Sequence, residues 1–498
     1  MGKSTKIISA ILALFLLSSS AFLFSCEKPT NNTETTDAND SASSYIIKTE
    51  IKDGGIWVTY SNDPENPVNI GAIGVNGETS SNSTLTYMPL PDGTFGVTSG
   101  NSRYLDVIVI PETFNGKPIT TIVENAFNGS TNLKSITIPS SITSVGDNAF
   151  YNCNELEYNE HDNGLYLGNA ENPYLILVKA KDTTITRCAV NEKAVAICDN
   201  AFYGCTELTS ISIPSSVKSI GSHAFQGCSS LIEVNIPNGC AVIGTETFES
   251  CASLSKITIP ASITDLGTNA FKDCISLKSI TFEKNSALTS ISNGAFSGCK
   301  SLTSITIPKN VTVIGDSKAI SNTNGVFHGC SALEKIVFED ESRVTQIGNF
   351  AFESCTKLTA ISLPSTVKQI GHSAFKSATG IKSINIPANV IIIGDKTFYG
   401  CKSLESVTFG DKLSKIGYQA FAGCQALNNV VIPASVKIIS QAAFDEHCTN
   451  LTSVEFKEAN GWYDVSKMEK IDATLLGDKA TAATIVKQAN TYSAGFAR

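Results

Sequence analysis

The stretch "AFYGCTELTSISIPSSVKSIGSHAFQGC", Ala201 to Cys228, closes by beginning again. Ala201-Phe202-Tyr203-Gly204-Cys205 returns as Ala224-Phe225-Gln226-Gly227-Cys228 after 23 residues. Its phenylalanine recurs at Phe127, Phe150, Phe202, Phe225, Phe248, Phe271, Phe296, Phe327, Phe352, Phe375, Phe398, Phe421 and Phe444. The steps are 23 residues except for 52, 25, 31 and 25. Apolar positions keep a fixed order within a unit, as in Leu208, Ile211, Ile213, Val217 and Ile220. From Ser210 the chain alternates with period two, as a half-buried strand does. Pro214 cannot donate to a ladder and marks the strand's end. Val217 and Ile220 make a second short apolar face, and Gly221 supplies a turn. Ser222-His223-Ala224-Phe225 has room for a single helical or 3-10 turn. One unit cannot bury its own Phe, Leu and Ile side chains, but stacking sets like on like.

The expected architecture is therefore a solenoid of about 13 repeats, with a parallel β-sheet on one face and short turns or 3-10 segments on the other. The period falls within the range of roughly 20–29 residues of leucine-rich repeats. The motif AFxGCxxLxSIxIPxSVxxIGxxAF is carried almost verbatim by Ala201–Phe225, with close copies "AFKDCISLKSITF" at 270–282 and "TFYGCKSLESVTF" at 397–409. It resembles the BspA-like leucine-rich repeats of bacterial surface lipoproteins over residues 105–458. That resemblance implies display on a cell surface and adhesion to host matrix proteins or to other bacteria.

The departures from the repeat divide the chain. The 52-residue step holds an insertion at about 158–184, where "GLYLGNAENPYLILVKA" (Gly164–Ala180) predicts a β-hairpin across Asn169–Pro173, before a degenerate repeat from Ile185 to Ile197. The 31-residue step adds a loop extension near Ser317–Asn324. Insertions of this kind go to loops on one face, often a binding face. Residues 45–104 are expected to form a β-rich N-terminal cap and 459–498 a C-terminal cap, since an open solenoid end exposes core. Trp57 and Trp462 sit one in each.

The first 25 residues read as a signal peptide: Lys3 and Lys6 precede an apolar run over Ile7–Leu17, and small residues follow. Leu23-Phe24-Ser25-Cys26 resembles a bacterial lipobox, which implies lipidation of Cys26. Residues 26–44 are rich in Thr, Asn, Asp and Ser and read as a disordered tether. Lipid, leash and folded array together suggest a secreted protein held at the outer membrane or cell surface.

Fifteen cysteines raise the question of disulfides or metal. Ten of them (Cys153, Cys205, Cys228, Cys251, Cys274, Cys299, Cys330, Cys355, Cys401 and Cys424) follow their repeat's Phe by three residues. Stacked strands lie about 4.8 Å apart, so these thiols should form a single file. Parallel Cβ vectors give poor disulfide geometry, and a file does not converge on a metal ion. Packing is the expected role; Ser130 and Ala378 take the same place in two repeats. Cys188, Cys198, Cys240 and Cys448 fall outside the file, and Cys188 with Cys198 is the pair to consider for a disulfide.

Net charge is −9, with no long basic run, which argues against nucleic acid as a partner. No Gly-x-Ser-x-Gly elbow, His-Glu-x-x-His or phosphate-binding loop is present, and His223 and His372 occupy equivalent turn positions where solvation is expected. Neither a cofactor nor an enzymatic activity is expected. What remains is a surface: the outward strand positions Ser135, Thr137, Ser210, Ser212, Glu233, Asn235, Lys256, Thr258, Ser279, Thr281, Ser304, Thr306, Ser383, Asn385, Ser406 and Thr408. At about 4.8 Å per repeat they span roughly 60 Å, a scale suited to a macromolecular ligand bound by a monomer. Two alternatives stand beside adhesion. Glycan capture requires exposed aromatics on the insertion, such as Tyr166 and Tyr174. A passive surface-coat or antigenic protein requires no specific ligand.

Overall fold

The structure, a computed structural model, describes residues 46–52, 55–60, 63–72, 85–316, 325–465, 467–488 and 495–498. The signal segment, Cys26, the tether and the extension at Ser317–Asn324 lie outside the described residues, as does the side chain of Trp57. The described residues divide into two compact units, one including residues 46–50, 57–60 and 63–68, the other residues 51–52, 55–56, 69–72 and those from 85 onward. In the N-terminal region β1 (Ile46–Lys52), β2 (Gly55–Tyr60) and β3 (Asp63–Ala72) form a three-stranded sheet in that order.

From Leu85 onward the chain is a β-solenoid. The antiparallel hairpin β4 (Thr86–Pro89)–β5 (Phe95–Thr98) opens it, followed by β6 (Val107–Val109), β7 (Thr113–Phe114) and β8 (Lys117–Ile122). Each repeat contributes to two ladders. In the first ladder β6 pairs in parallel with β9 (Ser135–Thr137); in the second, β5, β8 and β10 (Ser144–Val145) run side by side. The insertion then forms an antiparallel meander of β11 (Asn159–His161), β12 (Gly164–Leu167) and β13 (Ile176–Ala180), the hairpin read at Asn169–Pro173 joining β12 to β13. The degenerate repeat supplies β14 (Arg187–Ala189) and β15 (Ala196–Ile197), and the next repeat β16 (Ser210–Ser212) and β17 (Ser219–Ile220).

The two ladders are not equally regular. The second, built on the two-residue strand before each glycine, is continuous from β13 through β15 and β17 to Ile438–Ser440 and the C-terminal strands. The first, expected to be the main sheet, is broken into β6–β9, β14–β16, a group of four (Lys256–Ile259, Ser279–Phe282, Ser304–Ile307 and Lys335–Phe338) and two further pairs. A proline after the inward isoleucine, as at Pro214 and Pro260, stops these strands after three or four residues. Gly221 has another role than the expected turn: a Cβ there would stand 2.3 Å from the Asp199 backbone nitrogen of the preceding repeat. Glycine is needed because consecutive coils touch backbone to backbone at that corner.

The expected short turn is present as i→i+3 bonds, Gln226 N–H to His223 O at 3.0 Å and Cys228 N–H to Phe225 O at 3.1 Å. Most of these phenylalanines are framed by left-handed residues two before and two after: His223 (φ 57°) and Gly227 (φ 76°) around Phe225, Glu246 (φ 54°) and Ser250 (φ 61°) around Phe248; Phe327 and Phe444 have one such residue each, Gly329 (φ 69°) and Ala442 (φ 50°). A non-glycine residue in that region costs about 1–2 kcal/mol, which the packing of the ring between them must offset. From Phe202 to Phe444 the rings stack at centroid distances of 5.2–5.6 Å, nearly parallel. The same turns are joined by backbone bonds, such as Phe225 N–H to Thr247 O at 2.8 Å.

The cysteine file lies beside this stack, and its thiols have a defined partner. Cys228 donates to Phe202 O, Cys274 to Phe248 O, Cys330 to Phe296 O and Cys401 to Phe375 O, all at 3.1 Å. Each carbonyl acceptor belongs to the phenylalanine one repeat earlier. Cys205 follows the degenerate repeat and finds only Asp182 O at 3.9 Å. Cys448, read as outside the file, belongs to it, donating to Phe421 O at 3.2 Å. Its extra residue after Phe444 is absorbed in the turn. Cys188 packs in the first ladder with the long core and Cys198 follows β15 in a different core cluster; both thiols are free.

Two core clusters meet at the insertion. Tyr166, Leu177 and Ile197 point into the long core, while Ile176, Val178, Ala196 and Cys198 pack on the N-terminal repeats with Phe127, Val145 and Phe150. Strands β13 and β15 are thus buried on both faces, and β10, paired with β8, does not join the long continuous part of the second ladder but lies beside it: Ser219 Oγ donates to Thr143 O at 3.4 Å. At the other end Trp462 is buried and donates to Glu458 O. Helix α1 (Ala473–Gly477) is N-capped by Asp472, and α2 (Lys479–Gln488) lays Ala482, Ala483 and Val486 on the last repeat. Gly495–Ala497 pairs antiparallel with Ile438–Ser440 and closes the second ladder's edge.

Two outcomes follow from this packing. Phe271→Ala, deleting a fully buried ring in mid-stack, is expected to cost about 3–5 kcal/mol in urea unfolding, against a smaller loss for Phe150→Ala, whose ring stacks on one neighbour only. Burial pushes the thiols of Cys330 and Cys401 up to about 12, above the unfolded value near 8.5. The native state therefore keeps protons that the unfolded state has released between these values. The thiols' contribution to stability is expected to be constant below about pH 8 and to be lost as pH rises toward 12, and a Cys330→Ala/Cys401→Ala variant should show a shallower fall of the urea midpoint over that range.

Candidate functional site

The side chains singled out in the sequence stand on the first ladder, because its inward positions are taken by Ile136, Ile211, Ile257, Ile280, Ile305, Ile384 and Val407, all buried. Period two then forces their neighbours outward. Fifteen of the sixteen are exposed; Thr137 is half-buried. The ladder's register decides which of them meet. Lys256 lies beside Ser279, Ser279 beside Ser304, and Thr258 beside Thr281, forming one patch with Thr306. Ser383 with Ser406 and Asn385 with Thr408 form another, in which Thr408 Oγ1 donates to Asn385 Oδ1 at 2.6 Å. Ser210 reaches Glu233 by an isolated bridge, and Lys256 Nζ stands 3.3 Å from a Glu233 carboxylate oxygen. Ser212 and Asn235 continue the outer column on those two repeats. Ser135 and Thr137, on β9, are cut off from the rest by the insertion.

Sequence reading passed over several members of the same columns. Lys335 lies beside Ser304 in register and Asn429 beside Ser453. They stand at the same repeat position and were findable by alignment of the units. Val107 and Val109, register partners of Ser135 and Thr137, are each 55% exposed and give the first strand an apolar outer edge.

The turn side carries a second polar column, one residue after each phenylalanine. Lys272 Nζ donates to Glu249 at 2.6 Å and Lys376 Nζ to Glu353 at 2.8 Å, each joining adjacent repeats. His223, expected to be solvated, is half-buried and bonds Gln226 at 3.0 Å, with Glu246 3.3 Å away. His372 is likewise half-buried, and burial lowers its pKa. His328 is lowered for the same reason, with Glu353 3.7 Å from its Nδ1. These groups pair along the array and leave no converging set: among the described residues no group of three His, Cys, Asp or Glu could hold a metal ion, and no helix is long and apolar enough to cross a membrane.

The insertion is structural on its aromatic side. Tyr166 is fully buried, its hydroxyl accepting from Asn191 N–H at 3.1 Å, and Tyr174 is half-buried with its ring edge-on to Tyr166 at 5.7 Å. The exposed aromatic platform that glycan capture requires is therefore not formed by these two residues; the meander uses them to seal the start of the long core. On its other side the meander borders an open, polar-lined cavity of about 370 Å³ next to Ser135 and Thr137.

Comparison with solved structures finds leucine-rich repeat proteins. One from Bacteroides ovatus ATCC 8483 is 25% identical, covering 77% of this chain and 100% of its own, with a TM-score of 0.45. A leucine rich cell surface protein of Faecalibacterium prausnitzii A2-165 is 25% identical over 78% of this chain and 96% of its own, with a TM-score of 0.35. The pneumococcal vaccine antigen PcpA is 19% identical over 78% and 82%, with a TM-score of 0.35. No curated protein matches the chain. Six copies of the BspA type leucine rich repeat region are matched across residues 101–168, 195–325 and 318–452, more than half of the sequence, and the chain belongs to that family.

Proposed function

We propose that the protein is a lipid-anchored cell-surface binding protein that engages a macromolecular ligand with the outward columns of its first ladder. The observation that carries this reading is the exposed strip of hydroxyl, amide and charged side chains held in register across consecutive repeats, centred on Lys256, Thr258, Ser279, Thr281, Ser304 and Thr306. Short side chains on a fixed backbone lose little entropy when covered, and a strip many repeats long matches the span of a protein surface. Cys26 and the Thr/Asn/Asp/Ser-rich segment behind it supply an anchor and a leash. Adhesion to host matrix proteins or to other bacteria is the role the repeat family suggests. Burial of Tyr166 and partial burial of Tyr174 favour a protein ligand over a glycan.

The test is binding of the full chain to immobilised matrix proteins, wild type against a Thr281→Arg/Thr306→Arg variant. Saturable binding by the wild type, weakened at least about tenfold in the variant with an unchanged melting temperature, is expected. No saturable binding to any matrix protein or cell type overturns the adhesive role and leaves a passive coat. Display is checked separately by protease shaving of intact cells. The protein should be shaved from wild-type cells, and the Cys26→Ser form should appear in the medium; resistance to shaving until lysis would sink surface display.

A further inference from the structure

The first ladder has a missing rung beside β9. In a parallel ladder alternate residues bond to opposite neighbours. Ser135 N–H donates to Asp106 O at 3.1 Å and Ile110 N–H to Thr137 O at 3.1 Å, so Ser135 and Thr137 are committed to the β6 side. Ile136 faces the other way. There the next coil is fastened by two backbone bonds, Glu157 N–H donating to Lys134 O at 2.9 Å and Ile138 N–H to Gly168 O at 2.9 Å. Between them the chain departs: Asn159 pairs with Tyr166 in the meander, and among the described residues β9 has β6 as its sole strand partner. In an intact repeat that place is filled, as Ile336 fills it against Ile305. The N–H and C=O of Ile136 are thus directed into the cavity of about 370 Å³, which Ser135, Thr137, Glu157, Tyr158 and Ala170 help to line.

We propose that this notch is a strand-addition site, where an extended segment of a protein ligand bonds one of its peptide units to the N–H and C=O of Ile136. A donor and an acceptor offered side by side on a strand edge are the complement of another strand's backbone. The fastenings at Lys134 and Ile138 bound the space to four residue steps, about 13 Å at roughly 3.3 Å each, so the added segment is about three residues long. Side-chain amide capture from within is not available, because the Asn169 amide is already engaged, donating to Ile138 O and accepting from Asn172 N–H. Exposed Glu155 and Glu157 at one end favour a lysine or arginine in the incoming segment. The site extends the surface-binding reading given above and rests on it for the class of ligand.

Residue-resolved amide hydrogen exchange on the full chain tests the site with the blocked peptide acetyl-Lys-Thr-Val-Thr-amide as probe. Ile305, the same position in a filled rung, is the reference. In the free protein Ile136 is expected to exchange at least about a hundredfold faster than Ile305. About 5 mM probe should slow Ile136 at least tenfold and leave Ile305 unchanged. In Ala170→Trp, which fills the mouth of the notch from an exposed position, the probe should have no effect while Ile305 keeps its protection. The proposal is overturned if Ile136 exchanges as slowly as Ile305 without probe, if saturating probe leaves it fast, or if Ala170→Trp is slowed as much as wild type. No natural ligand enters this measurement, so it fails or succeeds independently of the matrix-binding test.

Discussion

The phenylalanine stack is the constraint on which everything else in the array depends. A ring held between left-handed residues fixes where each coil turns, and a spacing of 5.2–5.6 Å between rings fixes how closely coils approach. That spacing is slightly wider than the strand separation of about 4.8 Å, and the difference falls on the turn side, where backbone bonds and buried thiols fill it. The cysteine is small enough to fit beside the ring and donates to the carbonyl of the previous phenylalanine, a group whose own repeat already uses it once through Cys N–H. Ser130, at the same place in the first repeat, has no preceding phenylalanine and leaves its hydroxyl without a partner. A disulfide or a metal site is therefore unnecessary to explain so many cysteines.

A solenoid of this kind separates stability from recognition. Inward positions are spent on stacking like on like, and the outward positions are free to vary without touching the core. The face formed by Lys256, Thr281 and Thr306 is rigid because Ile257, Ile280 and Ile305 beneath it are buried. The turn side, by contrast, uses its charge internally: Glu249–Lys272 and Glu353–Lys376 tie neighbouring coils together across one repeat each. The two polar surfaces thus differ in availability: the turn-side pairs are largely buried, whereas the first-ladder face stays exposed even where it pairs, as at Lys256–Glu233 and Thr408–Asn385.

The insertion changes the array more than its length suggests. It brings β13 into the second ladder in parallel with β15, sends Tyr166 into the long core, and offers Ile176 and Val178 to the N-terminal repeats. The two cores share these strands, so the break in the repeat becomes a joint buried on both faces. The same detour removes the rung beside β9, leaving the unfilled edge at Ile136. A loop that would be tolerated anywhere on a surface is here a piece of the scaffold.

How much of this was legible in the sequence follows from what a repeat encodes. The period of 23, the inward order Leu208, Ile211, Ile213, Val217, Ile220 and the phenylalanine column are local patterns, and stacking is their only way to bury so many apolar side chains. The outward columns followed from period two alone, as did the hairpin from its turn residues. The sequence could not say which ladder would be continuous, because a proline limits strand length while the neighbouring coil decides whether pairing is completed. Gly221 reads as a turn residue, yet it is required by Asp199 in the coil before it, a contact between residues 22 positions apart. The fates of Tyr166 and Tyr174, the place of Cys448 in the thiol file and the open edge at Ile136 depend on where one coil lies against another. Those are distances between coils, and a linear pattern carries no such distance until the chain has been wound.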